Sequence, residues 1–298
     1  MQETYLYLIE KGCERLNIEQ IVKDVLSEME DKGNKTTSKP YTQEYKNKHI
    51  VYRQEKKVGV DEPKNREYVE QVQKETPARI GIGRSGTRMR TKNYLDFRVD
   101  HAAAQDAVFK DVGDDVLTRM DLPILHSKAT SMEEYLMNLD VGRKLNEESR
   151  SWLAEKATKG KQVQIVVSDG LSSTGIEETI PDLLPTLIQG LEAKNISMGN
   201  PIFIRKSRVW IQDEVASLVD CDLVISLIGE RPGLATSKSI SAYIIYKPNK
   251  ESVEADRTVF SNIHEGGVPP VEAGAYLADI IEKMLQSKAS GVKFSQMQ

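Results

Sequence analysis

At 298 residues the chain is long enough for roughly two domains, and with 39% hydrophobic and 29% charged residues it can build cores and still leave a polar tail. Its 41 basic and 45 acidic residues give a net charge of −4, which argues against a chain-wide polyanion binder, since nucleic-acid affinity rests on many phosphate-neutralising cations. Two cysteines, Cys13 and Cys221, argue against a disulfide framework or a cysteine-rich zinc site, and the longest apolar run, residues 223–228, falls far short of the ~20 residues of a membrane helix.

The apolar stretch 5–9 is too short for a signal-peptide core and is flanked by Glu3 and Glu10, so a cytoplasmic protein is expected. Residues 18–30 read as an amphipathic helix. Ile18, Ile21, Val22, Val25, Leu26 and Met29 form one stripe, Asn17 is a fitting N-cap with Gln20 three residues on, and Gly33 is a stop signal. Residues 31–60 are rich in Lys, Asn, Thr and Gln and hold too little apolar surface to offset the entropy of ordering, so they read as a tether. A lone helix of about 13 residues is marginal in water. This one therefore needs a surface, either the body of the protein or a partner. Residues 1–62 are taken together as a flexible tail.

Residues 63–155 read as a mainly helical domain, with helices over 65–74, 94–109, 132–138 and 144–157. Between the first two lies Arg79-Ile-Gly-Ile-Gly-Arg-Ser-Gly-Thr-Arg-Met-Arg90. Gly81 to Gly86 spells GxGxxG, but no strand–helix–strand unit contains it, so Arg79, Arg84, Arg88 and Arg90 point instead to an anion or subunit contact.

Residues 156–298 alternate strand and helix, with strands over 162–168, 201–204, 223–228 and 241–246 and helices over 176–194, 213–219 and 271–288. The fold class expected is α/β, a C-terminal Rossmann-like parallel sheet flanked by helices, preceded by the helical domain and the tail. Ligands in such sheets bind at the carboxyl edge. Three turns are expected to meet there: 168–173, 229–233 and 256–267. Ser168 and Asp169 with His264 have the residue types of a hydrolytic triad but lack a GxSxG elbow. None of His49, His101, His126 and His264 has metal-ligand spacing to another His or Cys. His264 reads as a hydrogen-bonded loop residue. Glu230 is the carboxylate of interest, or else an ion-pair partner of Arg231 or Arg257.

In order and spacing, RIGIGRSGTRMRT, VVSDGLSS, IGERPGL, EADRTVFSNIHEGGVPPVEAGAYL and KASGVKF resemble the small subunit (light chain) of ethanolamine ammonia-lyase, from about residue 70 to the C-terminus. The resemblance implies a heteromeric lyase that converts ethanolamine to acetaldehyde and ammonia and is inactive as this chain alone. The small subunit would cap a large TIM-barrel subunit, with adenosylcobalamin lying between the two. Three family positions associated with the cofactor fall at Val209, Glu230 and Val259. Relatives carry Cys at the last, so only packing or a backbone contact is expected of Val259. Ser168, Asp169 and Gly170 are expected neighbours of the cofactor. The Asp-x-His-x-x-Gly signature of cobalamin domains that replace the lower ligand is missing, which implies a base-on cofactor. No residue here is nominated as catalytic, and no metal ligand. The resemblance also implies residence in a protein-shelled bacterial microcompartment, with helix 18–30 as the tether to shell proteins. Residues 1–15 precede that helix and are unexpected for a terminal tag; an upstream start site would account for them. The alternative role is an adaptor that stabilises and localises the large subunit with few cofactor contacts.

Overall fold

The computed structural model describes residues 57–297, all of which belong to one compact unit, Gln54–Gln298. The expected helix 18–30 and residues 31–56 of its tether lie outside the described residues; residues 57–60 are described, and the Gly59 amide donates to the Gly81 carbonyl at 2.7 Å.

The first elements are helical. Helix α1 (Arg66–Glu75) is capped by Asn65, whose side chain accepts from the Tyr68 amide. A hairpin of two short strands, β1 (Arg84–Ser85) and β2 (Arg88–Met89), leads into α2 (Thr91–Phe109). Then come α3 (Asp114–Met120), β3 (Ile124–His126), α4 (Met132–Met137) and α5 (Glu147–Lys156). The second half follows as β4 (Val163–Ser168), α6 (Ser173–Ala193), β5 (Ile202–Arg205), α7 (Ile211–Val219), β6 (Leu223–Gly229), β7 (Ile240–Tyr246), β8 (Thr258–Ile263), α8 (Pro270–Ser287) and α9 (Gly291–Ser295).

Six strands form one sheet in the order β3-β5-β4-β6-β7-β8. The first four are mutually parallel. All residues of β4 and β6 are buried, because helices cover both faces; hence their unbroken apolar runs. On one face Ile165, Val167, Ile225 and Leu227 pack with Ile180, Leu183 and Leu187 of α6 and Leu277 and Ile281 of α8. On the other, Val166, Ile204 and Val224 pack with Ile211 and Val215 of α7 and Leu153 of α5. The α/β architecture expected from the sequence is the one observed.

The sheet departs from the expected all-parallel arrangement at one side. β7 runs antiparallel to β6, and β8 antiparallel to β7. The reason is connection length. Residues 230–239 join β6 to β7 without a helix, too little chain for the crossover of a dozen or more residues that a parallel return needs. Strand β8 falls in a segment read as a turn, because an edge strand half open to solvent lacks an apolar run. β3, three residues inside the stretch read as helical, joins the sheet beside β5.

Candidate functional site

Since β3 to β6 are parallel and β8 points the same way, their carboxyl ends and the start of β7 share one edge. After β4 the chain turns at Gly170, whose φ of +54° suits glycine. A side chain there would collide with Ile228 and the Gly229 backbone, and one at Gly229 would collide with the Asp169 carbonyl and the Ser172 backbone. The turns after β4 and β6 thus touch backbone to backbone, and the Leu171 amide donates to the Gly229 carbonyl at 2.9 Å.

Ser168 and Asp169 lie beneath this contact, 0% and 1% exposed. Asp169 Oδ1 accepts from the amides of Lys206 at 2.6 Å and Gly170 at 2.9 Å, and from the Ser168 hydroxyl at 3.3 Å. The Ser207 amide in turn donates to Ser168 Oγ. Both side chains therefore clamp the turn after β5, where Lys206 holds a left-handed φ of 54°. Asp169 Oδ2 is buried without a hydrogen-bond partner. Burial pushes the Asp169 carboxyl up to about 6, against the downward pull of the Lys206 amide, the Lys206 and Arg205 charges and the Gly170 amide.

Glu230 follows β6. Its Oε1 accepts from the Asn262 amide at 2.9 Å and from the Ser241 hydroxyl. Ser241 Oγ is also 2.9 Å from Ser261 Oγ. Among the described residues Glu230 makes no ion pair; Arg257 binds Asp213 instead, and the alternative of a pair with Arg231 or Arg257 is not what the structure shows. Glu230 is half-buried.

Tyr243 of β7 lies opposite Val259 of β8, so Ser241, Tyr243, Val259 and Ser261 share one sheet face. It is the α7 face, since Ile245, two residues on, packs with Ile211 and Val215. Val259 is 49% exposed on it. Tyr243 is half-buried, and its phenol is pushed upward by burial and by the Glu230 charge, partly offset by a hydrogen bond with Ser241. Val209, half-buried, lies between β5 and α7, and its carbonyl accepts from the Gln212 amide.

A buried network connects these parts. Arg257 donates from Nη2 to Asp213 at 2.5 Å, from Nε to Gln212 Oε1 at 3.3 Å and from Nη1 to the Val253 carbonyl at 2.9 Å. Gln212 Nε2 donates to the Tyr243 carbonyl at 2.8 Å. The start of β8, which carries Val259, is thereby tied to the first turn of α7, which follows Val209. Trp210 lies under the guanidinium groups of Arg143, at 4.5 Å, and Arg257, at 5.7 Å.

The other motifs stay apart. His264 bonds Asn262 Oδ1 and the Gly266 amide, as expected of a loop residue, and makes no bond to Ser168 or Asp169, so no triad is assembled. Gly81 and Gly83 precede the β1–β2 hairpin rather than a strand–helix turn, while Arg79 pairs with Asp100 and Arg90 with Asp61. Among the described residues no group of three or more His, Cys, Asp or Glu side chains is placed to hold a metal, and no helix is long and apolar enough to cross a membrane.

The sequence of the ethanolamine ammonia-lyase light chain family matches residues 66–295. The chain belongs to that family. An ethanolamine ammonia-lyase small subunit of Clostridium tetani is 50% identical over 233 residues, 78% of this chain and 79% of that protein. One from Listeria monocytogenes serovar 1/2a is 46% identical over 237 residues, 80% of this chain and 81% of its own. One from Clostridium perfringens is 40% identical over 286 residues, 93% of this chain and 97% of its own, a span that must reach into the N-terminal 56 residues.

Membership of this family implies a lyase subunit, and the resemblance read from the motifs is the family that the comparisons find. Within this family fold, sequence reasoning missed Ser241, Ser261 and Gln212, and offered Arg257 to Glu230 rather than to Asp213. The one local signal was polarity out of place: Ser241 opens an otherwise apolar strand, and Gln212 sits 0% exposed at the head of an amphipathic helix.

Proposed function

We propose that this small subunit holds adenosylcobalamin against the large subunit during conversion of ethanolamine to acetaldehyde and ammonia. The observation that supports the reading most is Glu230. Two donors occupy Oε1, while Oε2 has no hydrogen-bond partner among the described residues, on a half-buried side chain. Corrin is a broad, partly apolar ring edged with amides. An unpartnered carboxylate oxygen accepts an amide N–H, and the exposed Val259 offers apolar contact to the ring, so the residues present suit the group. Val209 and Glu230 would hold its rim, and Val259 would pack on it through methyl groups, with no thiol to offer. Ser168, Asp169 and Gly170 serve the site from below, by fixing the turns that carry Val209 and Glu230. When bound, the cofactor supplies the cobalt–carbon bond that generates the radical; this chain contributes orientation and exclusion of water.

The large subunit would dock on α2. Of its 19 residues only Ala107 is buried, while Leu95, Val99 and Phe109 are 54%, 55% and 53% exposed. Leu95, Val99 and Ala102 follow one another at helical spacing. The apolar stripe of 18–30 would tether the complex to shell proteins of a microcompartment by laying its apolar face in a groove.

The test is Glu230→Ala in the reconstituted two-subunit complex. Cobalamin affinity is expected to fall while the subunits stay associated. Unchanged affinity in an intact complex would leave the chain an adaptor.

A further inference from the structure

We infer that Glu230 selects amidated corrin side chains over hydrolysed, carboxylate-bearing ones, and that Ser241 is its positioning residue. This rests on the cofactor-holding reading above and adds what the carboxylate discriminates.

A serine hydroxyl carries a single proton and can accept more than one hydrogen bond. If Ser241 gives that proton to Glu230 Oε1, its contacts with Ser261 Oγ at 2.9 Å and with the Tyr243 phenol must be ones it accepts. The direction is fixed, because an unprotonated carboxylate has nothing to donate back. Donation therefore runs Ser261 to Ser241 to Glu230, and the Asn262 amide adds a second donor to the same oxygen at 2.9 Å. Bonds aligned head to tail strengthen one another. Among the described residues no cation pairs with Glu230, so its charge is held by neutral donors alone.

Oε2 then offers only an acceptor, backed by a full negative charge. A side-chain amide of the corrin rim, with two N–H donors, satisfies it. The same side chain hydrolysed to a carboxylate brings a second negative charge and no donor, an arrangement that repels. A neutral hydroxyl in place of Glu230 would take either group. Ser241, 2% exposed, enforces the difference by binding Oε1 and leaving Oε2 free of partners among the described residues.

The experiment uses the reconstituted two-subunit complex and equilibrium ultrafiltration, with the corrin absorbance as readout. The ligands are adenosylcobalamin and its monocarboxylate derivatives, each with one side-chain amide hydrolysed. At neutral pH at least one derivative is expected to bind about tenfold or more weakly than the parent, given the cost of juxtaposed like charges. Glu230→Gln, whose amide either donates or accepts, should close that gap to within about threefold. Ser241→Ala, which frees the carboxylate to turn, should narrow it and weaken parent binding. Equal binding of every derivative by the unaltered complex overturns the inference, as does a gap that survives Glu230→Gln. The two failures separate: if Glu230→Ala weakens parent binding but no derivative is rejected, selectivity alone falls. If neither Glu230 variant moves any affinity, the cofactor reading falls with it.

Discussion

Replacing Arg257 with methionine probes the network beneath the site. The Arg257 side chain is 2% exposed and its partner Asp213 20%, so the pair is shielded from water. Burial already raises the Asp213 carboxyl, with the Arg257 charge and hydrogen bond the main terms opposing it. Methionine keeps the stem but removes every donor, leaving Asp213 a partly buried charge and Gln212 Oε1 an unsatisfied acceptor in a residue 0% exposed. Breaking a buried pair from one side costs about 3–5 kcal/mol, and an orphaned buried acceptor about 1–3 kcal/mol. The two overlap, because Asp213 can protonate, so about 4 kcal/mol is expected. At roughly 2–4 °C per kcal/mol for a chain of this size, the melting temperature should fall by about 8–16 °C. Thermal melts of the reconstituted complex read this. The decisive comparison is Arg257→Met with Asp213→Leu, since replacing both charges by apolar groups is often neutral. A single-variant loss below about 1 kcal/mol, no more than a surface pair gives, would show that the buried pair contributes no such stability. A double variant as damaged as the single one would show that packing rather than the charge network holds α7 to β8.

Asp169 gives a pH dependence with a defined sign. Its folded value, about 6, lies above the ordinary 3.8, so the ionised form burdens the folded state above that range. The burden, about 3 kcal/mol at neutral pH, lifts as pH falls through 6 and is gone below the ordinary carboxyl value. The stability of the unaltered chain relative to Asp169→Asn should therefore rise between pH 7.5 and pH 5 in denaturant titrations; a difference independent of pH would contradict the assignment. Glutamate at Leu95 and Val99 together should weaken association with the large subunit by about 2 kcal/mol or more, since each places a charge where apolar area would be buried; unchanged association in ultracentrifugation would place the interface elsewhere. Deleting residues 1–30 should leave turnover of the complex intact and abolish co-purification with shells. Persistent encapsulation would put the address on another segment or on the partner.

Much of the candidate site was legible because turn chemistry is local. Gly170 and Gly229 mark the places where two backbones touch, and Glu230 was singled out as the carboxylate between Gly229 and Arg231. The role of Ser168 and Asp169 was not legible. Their letters suit a ligand or a triad equally, and only burial at 0% and 1%, with bonds to the Lys206 and Ser207 amides, shows them clamping a turn. Arg257 was offered to Glu230 rather than to its true partners, because Gln212 and Asp213 lie more than forty positions away in the chain.

The α/β alternation and the buried strands β4 and β6 were readable from the order of residues alone. Hydrophobic periodicity is a property of neighbouring residues and survives without any fold. The family was readable as well, through motifs whose order and spacing needed no coordinates. Long-range pairing alone set β7 and β8 running back antiparallel, brought β3 into the sheet from the helical half, and put Ser241, Val259 and Ser261 on one face with Glu230 bonded to Ser241. Strand pairing and hydrogen-bond direction arise between residues far apart in the chain, and no local pattern records them.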